Sequence, residues 1–273
     1  MLETIKTDWK AKVAVIIFIL LSIWWIPGFL NPGSYDQRYF GDYSSIYAFM
    51  ALWGGVWGVV IARKWGGFKS VMGKAVLMFS FGLFAQVFGQ ISYAYLSFYR
   101  HIEVPYPSLG DVGYFGSVLL YIYGVWLLLH ISGAKIHLGT LKNKILVLAV
   151  PALMLVAAYY LFLQGYEFDW SDPIRTFLDF GYPFGQAIYI SLAILTYLLS
   201  KNVLGGIMKP KILFILFALL VQFLADYMFL FQTSRGTWTN GGLNEYIYLV
   251  AYFLMTLALL QLGTVFKKMR DVH

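Results

Sequence analysis

The chain of 273 residues is 60% hydrophobic, 19% aromatic and 12% charged, against about 25% charged residues in an ordinary soluble domain. It carries a net charge of +7 and no cysteine, which excludes disulfides, thiolate metal sites, Cys-attached haem and Fe–S clusters. Apolar runs of spanning length recur from end to end, so the reading is an all-α polytopic membrane protein.

Eight spans follow in chain order: 12–30, 43–62, 74–98, 109–130, 143–164, 173–200, 210–232 and 243–265. The first lacks a small-residue cleavage site and leads straight into further spans, so it reads as a membrane helix and not as a leader. The connections are too short for a soluble domain. The expectation is one membrane domain over 1–273 with short tails, 1–11 and 266–273. Trp9, Trp24, Trp25, Trp65, Trp170 and Trp238 fall near span ends, as interfacial aromatic residues do.

The basic residues alternate with the spans. Lys6, Lys10, Lys12, Arg63, Lys64, Lys69, Lys74, Lys135, Lys142, Lys144, Lys201, Lys209, Lys211, Lys267, Lys268 and Arg270 fall on one side, 16 of the 20 Lys and Arg. Only Arg38, Arg100, Arg175 and Arg235 fall on the other. The positive-inside rule then makes both termini cytoplasmic. The inner face suits anionic lipid or a protein partner. Nucleic acid is not expected, because the basic loops are short and hold no binding module.

Each outer connection leads toward an even-numbered span carrying an acid: Asp42, Asp111, Asp179 and Glu245. In the last three a tyrosine follows at +3, as Tyr114, Tyr182 and Tyr248. A small residue follows at +6, as Ser117, Gly185 and Ala251; Asp42 keeps only Ala48. Positions 0, +3 and +6 share a helix face. The third and seventh spans also rhyme, with Gln86 and Gln90 in AQVFGQISY and Gln222 and Asp226 in VQFLADYMF. The reading is four related helical hairpins, and a site at such a repeat interface is a common arrangement. The plainer account of Asp111, Asp179 and Glu245 is helix capping. Ser108-x-x-Asp111 has the form of a capping box, and Asp172-Pro173 that of a cap followed by proline at the first helical position.

Depth isolates a second group. At 1.5 Å per residue from Lys211, Asp226 lies about 22 Å in, within the outer third of a hydrocarbon core of about 30 Å. Gln86 and Gln222 fall near mid-depth, with Gln90 and Gln186 further out. An intramembrane Asp is costly and faces a partner or a cavity. Two readings stand: an interhelical hydrogen bond that joins the bundle, or a ligand site. The matched spacing of the two pairs predicts that the third and seventh spans share an interior through Gln86, Gln90, Gln222 and Asp226. Pro183 predicts a kink in the sixth span, bracketed by Gly181-x-x-x-Gly185; Gly54-x-x-x-Gly58 is a packing motif in the second.

The four histidines, His101, His130, His137 and His273, lie in loops, at a helix end or at the terminus. This argues against b-type haem with paired intramembrane His and against His metal sites. The last span has no Lys for a retinal Schiff base. With no P-loop, GxSxG or HExxH, no enzymatic activity and no cofactor are expected.

PYPSLGDVGYFGSVLLYIYGVWLLL resembles the Pro-Ser-x-x-Asp-Val-x-Tyr stretch in the multi-helix N-terminal membrane modules of bacterial diguanylate cyclases and sensor histidine kinases. The last hairpin, LVQFLADYMFLFQTSRGTWTNGGLNEYIYLVAYFLMTLALLQL, is similar to theirs too. The likeness covers the third to eighth spans, and its matching motif positions are Asp111, Tyr114 and Asp226. It implies a sensory module in a prokaryotic cell membrane. In that family the last helix hands its signal to an output domain; here MRDVH follows Lys268, so the expectation is signalling through a partner. A non-enzymatic sensory or ligand-binding protein with an outer polar and aromatic pocket is the leading expectation. A structural or accessory subunit of a membrane complex is the second, and a small transporter or membrane-embedded hydrolase the third.

Overall fold

The computed structural model describes residues 2–132, 140–200 and 206–270, and they are helical with no strand. Lys135, His137, Lys201, Asp271 and His273 lie outside the described residues, as do the side chains of Lys268 and Arg270. Among the described residues ten α-helices form: α1 (Leu2–Thr7), α2 (Trp9–Leu30), α3 (Gln37–Ile46), α4 (Phe49–Lys64), α5 (Val71–Ala94), α6 (Leu109–Ile131), α7 (Leu141–Ala158), α8 (Pro173–Ser200), α9 (Lys209–Ser234) and α10 (Leu243–Arg270). Among the described residues eight segments are long and apolar enough to cross a membrane, and each overlaps one of the spans read from the sequence. This is a multi-pass membrane protein. The second spanning segment, Gln37–Lys64, joins α3 and α4. α5 and α7 run on into π-helical turns, Tyr95–Tyr99 and Tyr159–Leu163.

Polar residues set the helix starts. Asp8 accepts from the Lys10 backbone N–H at 3.0 Å, and Ser70 from that of Gly73 at 2.9 Å. The expected box is present: Asp111 Oδ2 accepts from the Ser108 backbone N–H at 2.7 Å and heads α6. Asp172 accepts from the Arg175 N–H at 3.0 Å, with Pro173 opening α8. The second span starts earlier than the sequence suggested, because Asp36 caps Tyr39 N–H at 2.9 Å. Asp42 therefore lies inside α3 and heads no helix; it pairs with Arg38 at 3.8 Å on the surface.

Six spans close a ring in the order α4, α5, α6, α8, α9, α10, with α10 packed back on α4. α2 lies outside it against α10, and α7 lies outside it against α8. Small residues permit the close approaches. A methyl on Gly54 or Gly58 would meet Thr256 and Leu83, or Ser80 and Leu259, so that motif seats α4 between α5 and α10. Gly181 and Gly185 face Phe115 and Val118 of α6. At Gly113 a methyl would lie 2.4 Å from the Ala85 carbonyl oxygen and 2.6 Å from Gly89 N, so α5 and α6 touch backbone to backbone. Pro183 sits within the continuous α8, and its carbonyl accepts Tyr227 Oη at 3.3 Å.

The two ends of the bundle differ. At one, Trp65 Nε1 donates to the Leu262 carbonyl at 3.2 Å. There Lys10 Nζ lies 4.8 Å from the Trp57 ring. Glu3, Thr4, Ile207, Lys211, Thr264 and Val265 line a cavity of about 160 Å³ at the same end. This is the lysine-bearing end; the acids gather toward the other.

Candidate functional site

The interior of the ring is built from tyrosines with a few amides and acids among them. Tyr43, Tyr121, Tyr189 and Tyr252 are the largest fully buried side chains. Gln86, Gln90, Gln186, Gln222, Asp226 and Glu245 are buried as well. A buried polar group without a partner costs roughly 1–3 kcal/mol; most of this set is engaged, while Tyr43 Oη and Gln186 Oε1 are buried with no partner among the described residues.

Asp226 on α9 accepts three hydrogen bonds. Tyr248 Oη of α10 donates to Oδ1 at 2.9 Å and Gln222 Nε2 at 3.0 Å, and Tyr189 Oη of α8 donates to Oδ2 at 3.1 Å. One turn along α10, Tyr252 Oη donates to Gln86 Oε1 at 3.0 Å. Gln86 Nε2 passes this to Ser117 Oγ at 2.8 Å. Gln90 Oε1 accepts from Tyr114 Oη at 2.9 Å and from Tyr47 Oη at 3.2 Å, while its Nε2 donates to the Ser44 carbonyl at 2.5 Å. That carbonyl lies at the end of α3, where the second span turns between helices. Gln90 thus supplies a donor where the chain's own ladder is interrupted.

Glu245 Oε2 accepts from Ser44 Oγ at 2.7 Å and from the Gly241 backbone N–H at 2.8 Å. Gly241 has φ +68, and a methyl there would lie 2.4 Å from Phe40 Cδ1, so only glycine fits the turn. Its carbonyl accepts Trp25 Nε1 at 2.7 Å. Asp226 and Glu245 are held by hydrogen bonds, whereas Asp8, Asp42 and Asp179 form ion pairs with Lys10, Arg38 and Arg175.

A third group lies at the acidic rim. Tyr182 Oη donates to Asp111 Oδ1 at 2.8 Å, beyond that acid's capping bonds. Asp179 takes Tyr106 Oη at 2.9 Å and Tyr166 Oη at 2.7 Å, with Arg175 Nε at 4.0 Å. Asp179 stands in the second turn of α8, so it ties two connections to the helix and does not cap it. Burial first, and the Asp179 carboxyl second, push the Tyr106 hydroxyl above its ordinary range. The hydrogen bond to Asp179 does the same to Tyr166. Asp169, held by Ser171, is lowered.

The structure therefore engages every candidate residue read from the sequence except the Gln186 side-chain oxygen, which is buried with no partner among the described residues. The +3 tyrosines all cross to the preceding member of the ring: Tyr114 to Gln90, Tyr182 to Asp111 and Tyr248 to Asp226. α5 and α9 are not neighbours in the ring order; each lies beside other ring members, and the tyrosines of α10 reach both polar faces. An i, i+4 polar pair specifies a helix face and leaves its partner open. Tyr189, Tyr252, Tyr47, Ser44, Tyr106 and Tyr166 are not singled out by the sequence, and Ser117 is singled out there only as a small residue. Tyr189 follows Gln186 by three and Tyr252 follows Tyr248 by four, but among 21 tyrosines such spacings carry little signal.

Among the described residues no three His, Asp or Glu side chains gather as a metal-ligand group. Compared with known proteins, the chain matches no family model, no curated protein and no solved structure.

Proposed function

We propose that this chain is a non-enzymatic sensory membrane protein in which a stimulus acts on the buried tyrosine–carboxyl network and α10 carries the response to the lysine-bearing end. One observation supports this above the others: the contrast between Gln90 and Asp226. Each is the second member of an i, i+4 pair, and each accepts a hydroxyl from the +3 tyrosine of the following span. The amide does this work at no risk of a buried charge. A carboxyl in the same setting is costly whenever it ionises. Its use at one of two matched positions argues for a task that depends on charge. The likeness of PYPSLGDVGY to sensory modules supports the same role.

α10 is suited to transmission. It holds Glu245, Tyr248 and Tyr252 near its start and runs 28 residues, about 42 Å at 1.5 Å per residue, to the end where Trp65 meets Leu262. The expected result is a shift in the spin-label distance between Lys69→Cys and Lys267→Cys when Asp226→Asn is introduced. Identical distance distributions with and without Asp226→Asn would defeat the sensory reading.

Within this proposal the chain is four related hairpins in a prokaryotic cell membrane. The lysine-bearing end and both termini are cytoplasmic, where a partner and anionic lipid are met. Cysteines at Lys69 and Lys142 are then expected to resist an impermeant thiol reagent in intact cells, whereas cysteines at Ser34 and Thr237 react. Labelling in the opposite sense would invert the topology. An accessory-subunit reading is favoured by one feature: α7 lies outside the ring against α8 and leaves Leu148 and Leu153 among its exposed residues.

A further inference from the structure

We propose that Asp226 is a proton-binding site, with the proton held on Oδ2 and shared with Tyr189. This rests on the sensory reading and names its stimulus class. The geometry decides among small cationic ligands. The carboxyl is enclosed by side chains from its own helix and both flanking ones, and Tyr189 and Tyr252 are fully buried. A metal ion needs several oxygen lone pairs turned toward it, whereas Tyr189, Tyr248 and Gln222 all turn hydrogens toward Asp226. A proton needs only one lone pair.

The groups around Asp226 set what protonation does. Those that titrate and face it are tyrosines: Tyr189 from α8, Tyr248 and Tyr252 from α10, Tyr121 from α6 and Tyr227 from α9 itself. Among the described side chains, the charged residues of the packed helices are placed elsewhere. Arg175 is beside Asp179, Asp111 is held by Ser108 and Tyr182, Glu245 by Ser44 and Gly241, and Arg235 lies 4.0 Å from the Phe231 ring. Lys209, Lys211 and Lys267 lie at the opposite end.

The ionised carboxyl accepts three donors. The neutral acid has a hydrogen of its own to place, and one neighbour must turn from donor to acceptor. Among the described residues Tyr189 is the sole donor to Oδ2, and a hydroxyl reverses by rotation about one bond. Tyr248 and Gln222 keep their bonds to Oδ1. Proton uptake therefore changes the α8–α9 link and spares the α9–α10 link, so the two flanking helices respond differently to one event.

The test is infrared difference spectroscopy of the whole chain in lipid nanodiscs, stepped through pH. The expected result is a carboxylic-acid carbonyl band that falls as pH rises, is lost in Asp226→Asn, and persists in Glu245→Gln. Asp226→Glu should keep the band at a shifted frequency, which guards against misreading a folding defect. An unchanged band in Asp226→Asn would overturn the proposal. So would a band lost in Glu245→Gln alone or in both variants, or no acid band at any pH where the protein stays folded. The sensory reading fails separately. A band that behaves as expected beside immobile spin labels defeats transmission only, and labels that move without an acid band defeat the proton site only.

Discussion

Asp226→Leu is expected to melt roughly 6–12 °C below the wild-type protein in the same detergent, and Asp226→Asn within a few degrees of it. Leucine accepts nothing, so Tyr189 and Tyr248 lose the acceptor for their hydroxyls and Gln222 for its amide. An interhelical bond between membrane helices is worth only about 0.6 kcal/mol on average. That alone would make the loss small, but stranding the donors costs more. Each stranded group costs roughly 1–3 kcal/mol when nothing replaces the partner, and Tyr189 is fully buried. Three such donors sum to about 3 kcal/mol or more, and each kcal/mol moves the midpoint of a protein this size by roughly 2–4 °C. Asparagine keeps Oδ1 as an acceptor for Tyr248 and Gln222. Its amide nitrogen meets Tyr189 as the neutral acid would, after the same hydroxyl rotation. Equal melts for wild type, Asn and Leu would show that the three bonds carry no stability.

Gly113→Ala is expected to be among the most damaging single-methyl changes in the chain, with Gly116→Ala on the same helix as its control. The added carbon at position 113 would sit 2.4 Å from the Ala85 carbonyl oxygen and 2.6 Å from Gly89 N. Both are backbone atoms of α5, so no side chain can swing aside and the helices must separate. Separation pulls Tyr114 from Gln90 and Ser117 from Gln86, which span the same crossing. Overpacking costs roughly 1–3 kcal/mol and sometimes more. Gly116 has nothing within 4 Å of the added carbon, and removing a helix-interior glycine there stabilises by about 0.5–1 kcal/mol. The two alanine variants should therefore shift the melt in opposite directions. A shared direction would mean that the α5–α6 crossing yields freely.

Much of the fold is legible in the sequence because hydrocarbon leaves a chain few options. The eight spans, the Ser108–Asp111 box, the Asp172–Pro173 start and the two Gly-x-x-x-Gly contacts all follow from local pattern. The start of the second span does not. Gln37–Phe40 reads as loop until Asp36 is seen capping it. The partners of the polar residues were hidden for a different reason. Spacing identifies which residues share a face of α5 or α9, but the order of helices around the ring decides what that face meets. The sequence placed Asp226 and Gln86 toward a common interior, and α10 supplies the tyrosines that occupy it.

The peripheral position of α7 bears on how the chain enters the membrane. In the sixth spanning segment, Pro173–Leu199, an 18-residue stretch has a mean hydropathy of 1.3, the lowest of the eight, and 67% of that stretch is buried inside the protein. In the fifth, Leu141–Leu163, the corresponding stretch has a mean hydropathy of 2.4 and 6% of it is buried. A segment that poor in apolar residues partitions weakly from the translocon when it emerges alone. The preceding segment partitions readily, is made first, and is the one helix outside the ring that lies against it. α7 is thus expected to act during synthesis as a greasy companion, so that deleting it should lower the yield of correctly inserted α8. It offers α8 a protein surface in the bilayer before α9 exists to receive Tyr189, and it stays outside the ring once that partner arrives.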